Sequence, residues 1–248
     1  IPGSLDVGGF TLDNFARIYR PVYLKAVINT FVLSLATAFF TLILSYPIAF
    51  ALVRTRIEWI RTLLILLSIT PLFTGEIVRT YAWMLVLGTN GFLNTLLIDL
   101  GIIAAPVTFM YTHAGVVIAL VQFAMPVMII ILATAISHIN TDYEKAAANL
   151  GAPPATVITR VVIPLTMPGI ISGFIVIFAW TMSAFATPQL IGGGKVLMIS
   201  NAIYLQGFSA LNFPFAATLS VIALISAFAS LALMKLVANR LERRTAIH

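Results

Sequence analysis

The chain contains 248 residues, of which 60% are hydrophobic and only 9% are charged, and its formal net charge is +6. A soluble domain carries about 25% charged residues because a globule in water needs a polar surface, so this composition excludes a soluble domain and predicts an integral membrane protein. The absence of cysteine also excludes disulfide bonds and thiolate metal sites.

Five apolar stretches are long enough to cross a membrane. A bilayer core about 30 Å thick requires roughly 20 apolar residues in a helix. An open sheet would leave backbone groups unpaired in lipid, and the stretches lack the alternation of barrel strands, so an all-α fold is expected. In chain order, the predicted spans cover residues 26–53, 62–87, 112–137, 169–187 and 213–238.

The basic residues predict the orientation, because cytoplasmic loops carry an excess of lysine and arginine. One set of connections contains nine basic residues and the opposite set contains five. The larger set is Arg54, Arg56, Arg61, Lys145, Arg160, Lys235, Arg240, Arg243 and Arg244, and the smaller set is Arg17, Arg20, Lys25, Arg79 and Lys195. The larger set is therefore placed in the cytoplasm, and the positive charge is assigned to topology rather than to nucleic-acid binding.

This orientation gives an extracytoplasmic segment of residues 1–25, a transmembrane domain of residues 26–238 and a cytoplasmic tail of residues 239–248. The first of these segments holds no long apolar run, so a further span is expected before the start of the sequence. A short apolar segment that ends near residue 103 is expected to lie in the outer interface. The glycine-rich loop of residues 188–212 is expected outside the membrane.

The longest cytoplasmic connection, residues 138–168, predicts two short helices joined by an elbow. Thr141 and Glu144 have the spacing of a capping box. The alanines that follow favour helix, and Gly151 is expected to end it. A second helix is expected to begin at the two prolines after the elbow and to end just before Pro164.

Consecutive alanines on a cytoplasmic helix let another backbone approach closely, since they carry only small side chains. They therefore indicate a helix that docks into a groove on a cytoplasmic protein. The same pattern is typical of an ordinary capped helix at the membrane interface. The alanines alone do not decide between these two interpretations.

This connection resembles the loop of binding-protein-dependent ABC permeases, in which Glu-Ala-Ala is followed after three residues by Gly and, nine residues later, by Ile-x-Leu-Pro. The matching positions are Ala146, Ala147, Gly151, Val161, Ile163 and Pro164. The family's glutamate falls on Lys145, next to Glu144, and this departure concerns the polar contact to the ATPase. The resemblance implies a type I ABC importer permease fold, with ATPase-docking residues Glu144, Lys145, Ala146, Ala147, Leu150, Gly151, Ala152 and Pro153.

A second set of motifs resembles the first permease of spermidine/putrescine-type importers. These motifs are residues 78–84, the series Leu87, Gly88, Gly91 and Asn94, residues 163–169, residues 186–188 and the glycines 192–194. The resemblance implies a translocation path for a small organic solute. A polyamine is the first expectation, and an amino acid derivative, an opine, GABA or a phosphonate is the alternative.

The same resemblance implies the partners and the location of the chain. A second permease, forming a heterodimer, two copies of a cytoplasmic ABC ATPase and an extracytoplasmic solute-binding protein are expected. ATP and Mg²⁺ would lie on the ATPase, so no cofactor, metal or catalytic residue is expected in this chain. The expected location is the bacterial inner membrane, with a cytoplasmic C-terminus.

Polar and aromatic side chains in or near the spans are candidates for the translocation path. Glu76 either attracts a cationic solute or forms a helical ion pair with Arg79. Tyr81 and Trp83 either stack on the solute or belong to an interfacial aromatic belt. The other candidates are Gln122, Trp180, Thr181, Ser183 and Gln189.

Two glycine patterns have less specific meanings. The glycines before Lys195 lack the first glycine and the final Ser or Thr of a phosphate-binding loop, so they are expected to form a flexible outer gate or a plain loop. The four-residue spacing of Gly169 and Gly173 allows close approach of a neighbouring helix. That helix belongs either to the same chain or to a dimer partner.

Two other function classes compete with an ATP-driven permease. A secondary transporter or channel would need its own energy coupling, such as buried acids and histidines, and the spans contain almost none besides Glu76. A membrane-embedded enzyme would need a catalytic motif, and neither HExxH nor GxSxG occurs. The sequence therefore favours transport driven by a separate ATPase.

Overall fold

The structure is a computed structural model that describes the backbone of residues 13–245 and the side chains of residues 13–236. Regular structure in this part of the chain is helical. The helices are α1 (Asp13–Ala16), α2 (Pro21–Arg54), α3 (Glu58–Ile69), α4 (Glu76–Leu87), α5 (Phe92–Asp99), α6 (His113–Ser137), α7 (Asp142–Asn149), α8 (Pro154–Val157), α9 (Ile163–Leu165), α10 (Met167–Met182), α11 (Ala186–Gly192), α12 (Ile199–Tyr204) and α13 (Phe213–Thr245). Residues 1–12 of the predicted extracytoplasmic segment and residues 246–248 of the predicted tail lie outside the described residues.

Four helical stretches in the described chain are long and apolar enough to cross a membrane, and a fifth span results if one bent pair is counted. The four are Pro21–Arg54, Glu76–Asp99, His113–Ser137 and Phe213–Leu236. The bent pair is Pro154–Leu165 with Met167–Met182, at an angle of 69°. The all-α membrane fold is confirmed, and the number of spans agrees with the prediction when the bent pair is included.

The bounds of the second predicted span are wrong. Residues 62–87 do not form one helix, because α3 ends at Ile69 and α4 begins at Glu76. A 3-10 turn at Thr70–Phe73 separates them, with Pro71 in its first positions. Proline lacks the N–H that would continue an α-helix. Hydropathy alone did not reveal this break, since the flanking residues are apolar on both sides.

The fourth predicted span is too long, and the loop that follows it is largely helical. Helix α10 ends at Met182, five residues before the predicted end, and α11 and α12 occupy much of residues 188–212. The start of helix α12 is capped by one side chain of its own and by one from α2. Asn201 Oδ1 accepts the Met198 N–H at 3.2 Å, and Thr30 Oγ1 accepts the Ile199 N–H at 2.9 Å.

One compact unit comprises the residues up to 36, residues 75–120 and residues 179–230. Its core joins apolar side chains from α2, α4, α6 and α11 with the loop before α12: Leu33, Leu87, Val116, Ala119, Leu120, Ile191, Val196 and Met198. Helix α4 packs against α11, and the hydroxyls of Thr80 and Thr187 lie 3.2 Å apart between them. Packing of buried apolar area is what fixes this pair of helices.

The geometry of a turn in this unit depends on Gly91 and Asn94 near α5. Asn94 is buried; its amide donates to the Val107 carbonyl at 2.9 Å and its Oδ1 accepts the Val107 N–H at 2.8 Å. A Cβ at Gly91 would lie 2.6 Å from the Val86 carbonyl oxygen. These residues of the second resemblance are therefore structural, since they pin the segment after α5.

The second compact unit comprises residues 37–74, residues 121–178 and the residues from 231 onward. Helix α10 approaches α6 closely in this unit. A Cβ at Gly169 would overlap the Ala135 side chain, and one at Gly173 would lie 2.8 Å from Met128 Sδ. The small-residue spacing is therefore explained by packing within the chain, one of the two alternatives that the sequence left open.

Candidate docking site and translocation path

Residues 142–166, here called the elbow segment, begin with α7. The predicted capping box is wrong, because Thr141 makes no side-chain cap and is itself in a helical conformation. Asn140 Oδ1 instead accepts the Asp142 N–H at 2.9 Å. The Glu144 carboxylate binds Arg54, so it does not reach back to the helix N-terminus.

The predicted elbow at Gly151 is present and has the geometry of a Schellman motif. The Gly151 N–H donates to the Ala148 carbonyl at 2.9 Å, and the Ala152 N–H donates to the Ala147 carbonyl at 3.1 Å. Gly151 has φ +84°, a region that L side chains adopt only with strain. Glycine is therefore required by the backbone at this position.

The second half of the elbow segment continues beyond the predicted end. It consists of α8, a π-helical turn at Ile158–Val162 and α9. Pro164 does not stop the helix before residue 163, because it occupies the first turn of α9, where its missing N–H is tolerated. The chain bends by 69° between Leu165 and Met167.

Helix α7 presents an exposed apolar face. Tyr143, Ala146 and Leu150 share one side at helical spacing, and Tyr143 and Leu150 are 59% and 89% exposed. Exposed apolar side chains that lie next to one another form a candidate surface for a partner. Of the predicted docking residues, Lys145, Ala146, Leu150, Gly151 and Pro153 are exposed, whereas Glu144, Ala147 and Ala152 are half-buried.

Glu144 points away from this face and binds the end of α2. Arg54 Nε and Nη2 lie 2.9 Å and 2.7 Å from Glu144 Oε1, and each side chain is less than one-fifth exposed. Arg54 Nη2 also donates to the carbonyls of Ile136 and Ile139, at 3.4 Å and 3.2 Å. One arginine thus joins the ends of α2 and α6 to α7.

Lys145 occupies the position of the family's glutamate and faces solvent. Its ammonium lies 2.9 Å from Asp142 Oδ1, and both side chains are more than 60% exposed. The hydrogen bond and the positive charge of Lys145 lower the pKa of Asp142. Of Glu144 and Lys145, it is thus Lys145 whose charged group is available at the exposed surface.

The path candidates on α4 lie in the first unit. Glu76 is the first residue of α4 and attracts Arg79 electrostatically. Both side chains are half-buried, and the Nε and Nη1 atoms of Arg79 are buried. Tyr81 is 55% exposed, whereas Trp83 packs against the core of the unit. The two interpretations of Glu76, an ion pair with Arg79 and contact with a solute, both stay predictions.

The remaining candidates differ in their surroundings. Gln189 Oε1 accepts a hydrogen bond from Asn201 Nδ2 at 3.0 Å, so it is held by α12. The Ser183 hydroxyl donates to the Trp180 carbonyl at 2.8 Å. Trp180 is 39% exposed, and Thr181 is buried. Gln122 is half-buried and lies in the second unit.

Two features of the first unit were missed by the sequence analysis. A cavity of about 340 Å³ is lined by small and apolar residues of α10, α12 and α13, among them Ser200, and by Ser183, which directly follows α10. Phe185, Tyr204 and Phe208 form an aromatic column, with ring centroids 4.9 Å and 5.2 Å apart, and Phe208 is 72% exposed. Their separation of 19 and 4 residues along the chain gives no periodic signal that would have predicted the column.

The glycines before Lys195 form a turn rather than a phosphate site. Gly193 and Gly194 have φ +52° and +79°. A Cβ at Gly193 would overlap the ring of Tyr111, and the Lys195 ammonium lies 5.7 Å from the centroid of the same ring. The turn is therefore packed on Tyr111.

The sequence matches the family described as "Binding-protein-dependent transport system inner membrane component" over residues 29–245. It is 36% identical over 212 residues to the spermidine/putrescine transport system permease protein PotB of Salmonella typhimurium strain SL1344, which covers 86% of this chain and 74% of that protein. Identity to PotB of Escherichia coli K12 is 35%, covering 86% and 77%. The molybdenum transport system permease protein ModB of Mycobacterium bovis is 30% identical, covering 77% and 72%.

Solved structures have the same fold. A chain of a bacterial ABC transporter that imports the acidic polysaccharide alginate superposes with a TM-score of 0.80 at 18% identity, covering 94% of this chain and 84% of that one. A chain of the MetNI methionine ABC transporter superposes with a TM-score of 0.67 at 16% identity, covering 95% and 99%. The predicted type I ABC importer permease fold is confirmed. The chain therefore belongs to the binding-protein-dependent transport system inner membrane components, the multi-pass permeases of ABC importers.

Proposed function

We propose that this permease forms part of the path for a polyamine and is driven by a cytoplasmic ATPase that binds the elbow segment. The observation that carries the proposal is the exposed apolar face of α7 next to the Gly151 elbow. Tyr143, Ala146 and Leu150 are solvent-exposed there, and such a helix face fits a hydrophobic groove on a partner. Lys145 at the edge of this face supplies a charge for a polar contact.

The solute is inferred from the relatives and from the aromatic column. Permeases that are 35–36% identical over most of the chain are named for spermidine and putrescine. Ammonium groups bind favourably to the faces of aromatic rings, and the exposed ring of Phe208 offers such a face beside Tyr204. Glu76 supplies a negative charge in the same unit. The alternatives are another small organic solute or, from the name of the ModB relative, a form of molybdenum.

The proposed assembly contains a second, different permease, two copies of the ATPase with its ATP and Mg²⁺, and an extracytoplasmic solute-binding protein. The C-terminus lies in the cytoplasm. The exposed face of α7 supports a partner on the elbow segment, and the family match supports the binding protein. ATP hydrolysis takes place on the ATPase and not on this chain.

Purification of the complex from native membranes tests the proposal. We expect an ABC ATPase and a second permease to copurify. We also expect vesicles reconstituted with this complex to take up spermidine. Molybdate and a neutral amino acid serve as competing solutes. Purification without an ATPase would refute the docking proposal, whereas a complex with ATPase whose uptake responds to molybdate alone would refute only the choice of solute.

The proposed orientation predicts that Lys195→Cys and Thr245→Cys are labelled from opposite sides of the membrane. The unsubstituted chain contains no cysteine, so it is a background-free control for an impermeant thiol reagent. Lys195 is exposed, and its replacement removes the contact with the Tyr111 ring, which contributes about 0.5–1 kcal/mol. Labelling at residue 245 in intact cells would contradict the cytoplasmic C-terminus.

A further inference from the structure

Helix α2 makes polar contacts with the elbow segment at two places, one near each end of the segment. Arg54, the last residue of α2, binds Glu144 in the first helix of the segment. Tyr46, two turns earlier on α2, hydrogen-bonds to Thr166 at the bend that ends the segment. The two contacts lie 22 residues apart along the elbow segment but only about 12 Å apart along α2, at 1.5 Å per residue.

The contact between Arg54 and Glu144 fixes the position of α7. A half-buried arginine–carboxylate pair with charge-assisted hydrogen bonds is shorter and stronger than a neutral contact. Arg54 Nη2 also donates to the carbonyls of Ile136 and Ile139 at and just after the C-terminus of α6, where a positive charge is favoured by the helix dipole. The arginine therefore holds α7 in one place relative to two long helices.

The contact at Tyr46 holds the other end. The hydroxyls of Tyr46 and Thr166 lie 3.0 Å apart, and Thr166 is only 1% exposed. Thr166 also lies 3.0 Å from the carbonyls of Val162 and Ile163. Tyr46 is thus attached to the residue at which the chain bends by 69° into α10, so a shift of the bend is transmitted to α2.

We propose that the C-terminal half of α2 is the element that moves with the elbow segment when the ATPase acts, and that Arg54 and Tyr46 are the positioning residues that join the two. Neither residue contacts the ATPase or the solute in this assignment. The inference rests on the proposed docking of the ATPase to the elbow segment. It adds that Glu144 makes a contact within the permease, while the exposed face of α7 contacts the ATPase.

Distances between spin labels test this in the assembled transporter. The chain lacks cysteine, so labels can be placed at Leu44→Cys on an exposed part of α2 and at Thr141→Cys beside α7. We expect one narrow distance distribution that is unchanged between the nucleotide-free and the vanadate-trapped states. With Arg54→Gln or Tyr46→Phe added, the distribution should broaden or shift between those states, because the two elements no longer move together.

Three further variants make the result decisive. Arg56→Gln is the matched control, since Arg56 is exposed and lies two residues from Arg54. With this substitution the distance distribution should stay narrow and unchanged between the two states. Arg54→Lys keeps the charge and should restore part of the narrow distribution. Tyr46→Phe removes a single oxygen atom, so it remains informative if Arg54→Gln does not fold. The charge-reversed pair, Arg54→Glu with Glu144→Arg, should recover coupling only in part, because the carbonyl contacts of Arg54 are not restored.

The outcomes separate this inference from the proposed function. Copurification of the ATPase with every variant shows that docking is intact. Two outcomes would show that α2 is not joined to the elbow segment as proposed. In the first, the distance between the labels at Leu44→Cys and Thr141→Cys changes on trapping without further substitution. In the second, the distance distribution stays narrow and constant with Arg54→Gln and with Tyr46→Phe. If no ATPase copurifies with the unsubstituted permease, the proposed function fails and the inference fails with it.

Discussion

Gly151→Val is expected to abolish coupled uptake while the permease remains inserted in the membrane. The backbone at Gly151 has φ +84°, where a β-branched side chain costs about 1–3 kcal/mol. No heavy atom lies within 4 Å of the position of an added Cβ, so the substitution strains the elbow without a clash in the core. The strain should open the Schellman motif and displace α8 relative to the exposed face of α7. Uptake per molecule of inserted permease, measured with copurified ATPase, is the relevant quantity.

Gly101→Val is a matched control for this experiment. Gly101 also has a positive φ, +69°, and also has no heavy atom within 4 Å of an added Cβ, but it follows α5 and lies outside the elbow segment. The two variants therefore carry similar backbone strain at different places. Equal losses of uptake would attribute the effect of Gly151→Val to general instability, and wild-type uptake with Gly151→Val would contradict the docking proposal.

The elbow was predictable from the sequence because its signals are local. A short alanine-rich helix, a glycine at its end and prolines after it occupy consecutive positions, and each acts through the backbone of its own turn. The resemblance to ABC permeases rests on the same residues, and the family match confirms it. The apolar runs likewise predicted most long helices, since the length of a span follows from bilayer thickness.

The contacts that position the elbow were not predictable, because they join residues distant in the sequence. Glu144 has the spacing of a capping residue, yet its carboxylate is bound by Arg54, 90 residues earlier. In the folded chain, the Arg54 guanidinium was available to donate to the Glu144 carboxylate. This charge-assisted contact prevailed over the weaker local cap. Arg54 itself is one of several basic residues that topology alone explains, so nothing marked it in the sequence.

The candidate path was predicted less completely than the elbow. Glu76, Arg79 and Gln189 do lie in the first unit, but Gln189 is hydrogen-bonded to Asn201 and Trp83 packs against the core. Polar residues in apolar helices attract attention because they are costly in lipid, and the sequence does not show which of them are already satisfied by a neighbouring helix. The aromatic column was missed for the opposite reason, since aromatic side chains are common in membrane helices.

Glu76→Gln is expected to reduce uptake of spermidine per folded permease by roughly 10- to 100-fold if Glu76 receives an ammonium group, because a hydrogen bond to a charged group contributes about 1.5–3 kcal/mol. Glutamine keeps the shape of the side chain and removes its charge. The alternative is that Glu76 only supports Arg79, whose guanidinium is partly buried next to it. In that case the variant should lower the amount of folded protein and leave uptake per molecule unchanged.

Glu58→Gln provides the matched control for this comparison. Glu58 is also the first residue of a helix, α3, and also an acid in the first turn, so the loss of favourable charge at a helix N-terminus, about 0.3–1 kcal/mol, is common to both variants. Uptake must be divided by the quantity of monodisperse permease, determined by size-exclusion chromatography. A fall in uptake per molecule with Glu76→Gln but not with Glu58→Gln places Glu76 on the path of the cation. Normal uptake per molecule with less folded protein assigns Glu76 to the support of Arg79, and the acceptors for the ammonium groups must then come from other residues of the path or from the partner permease.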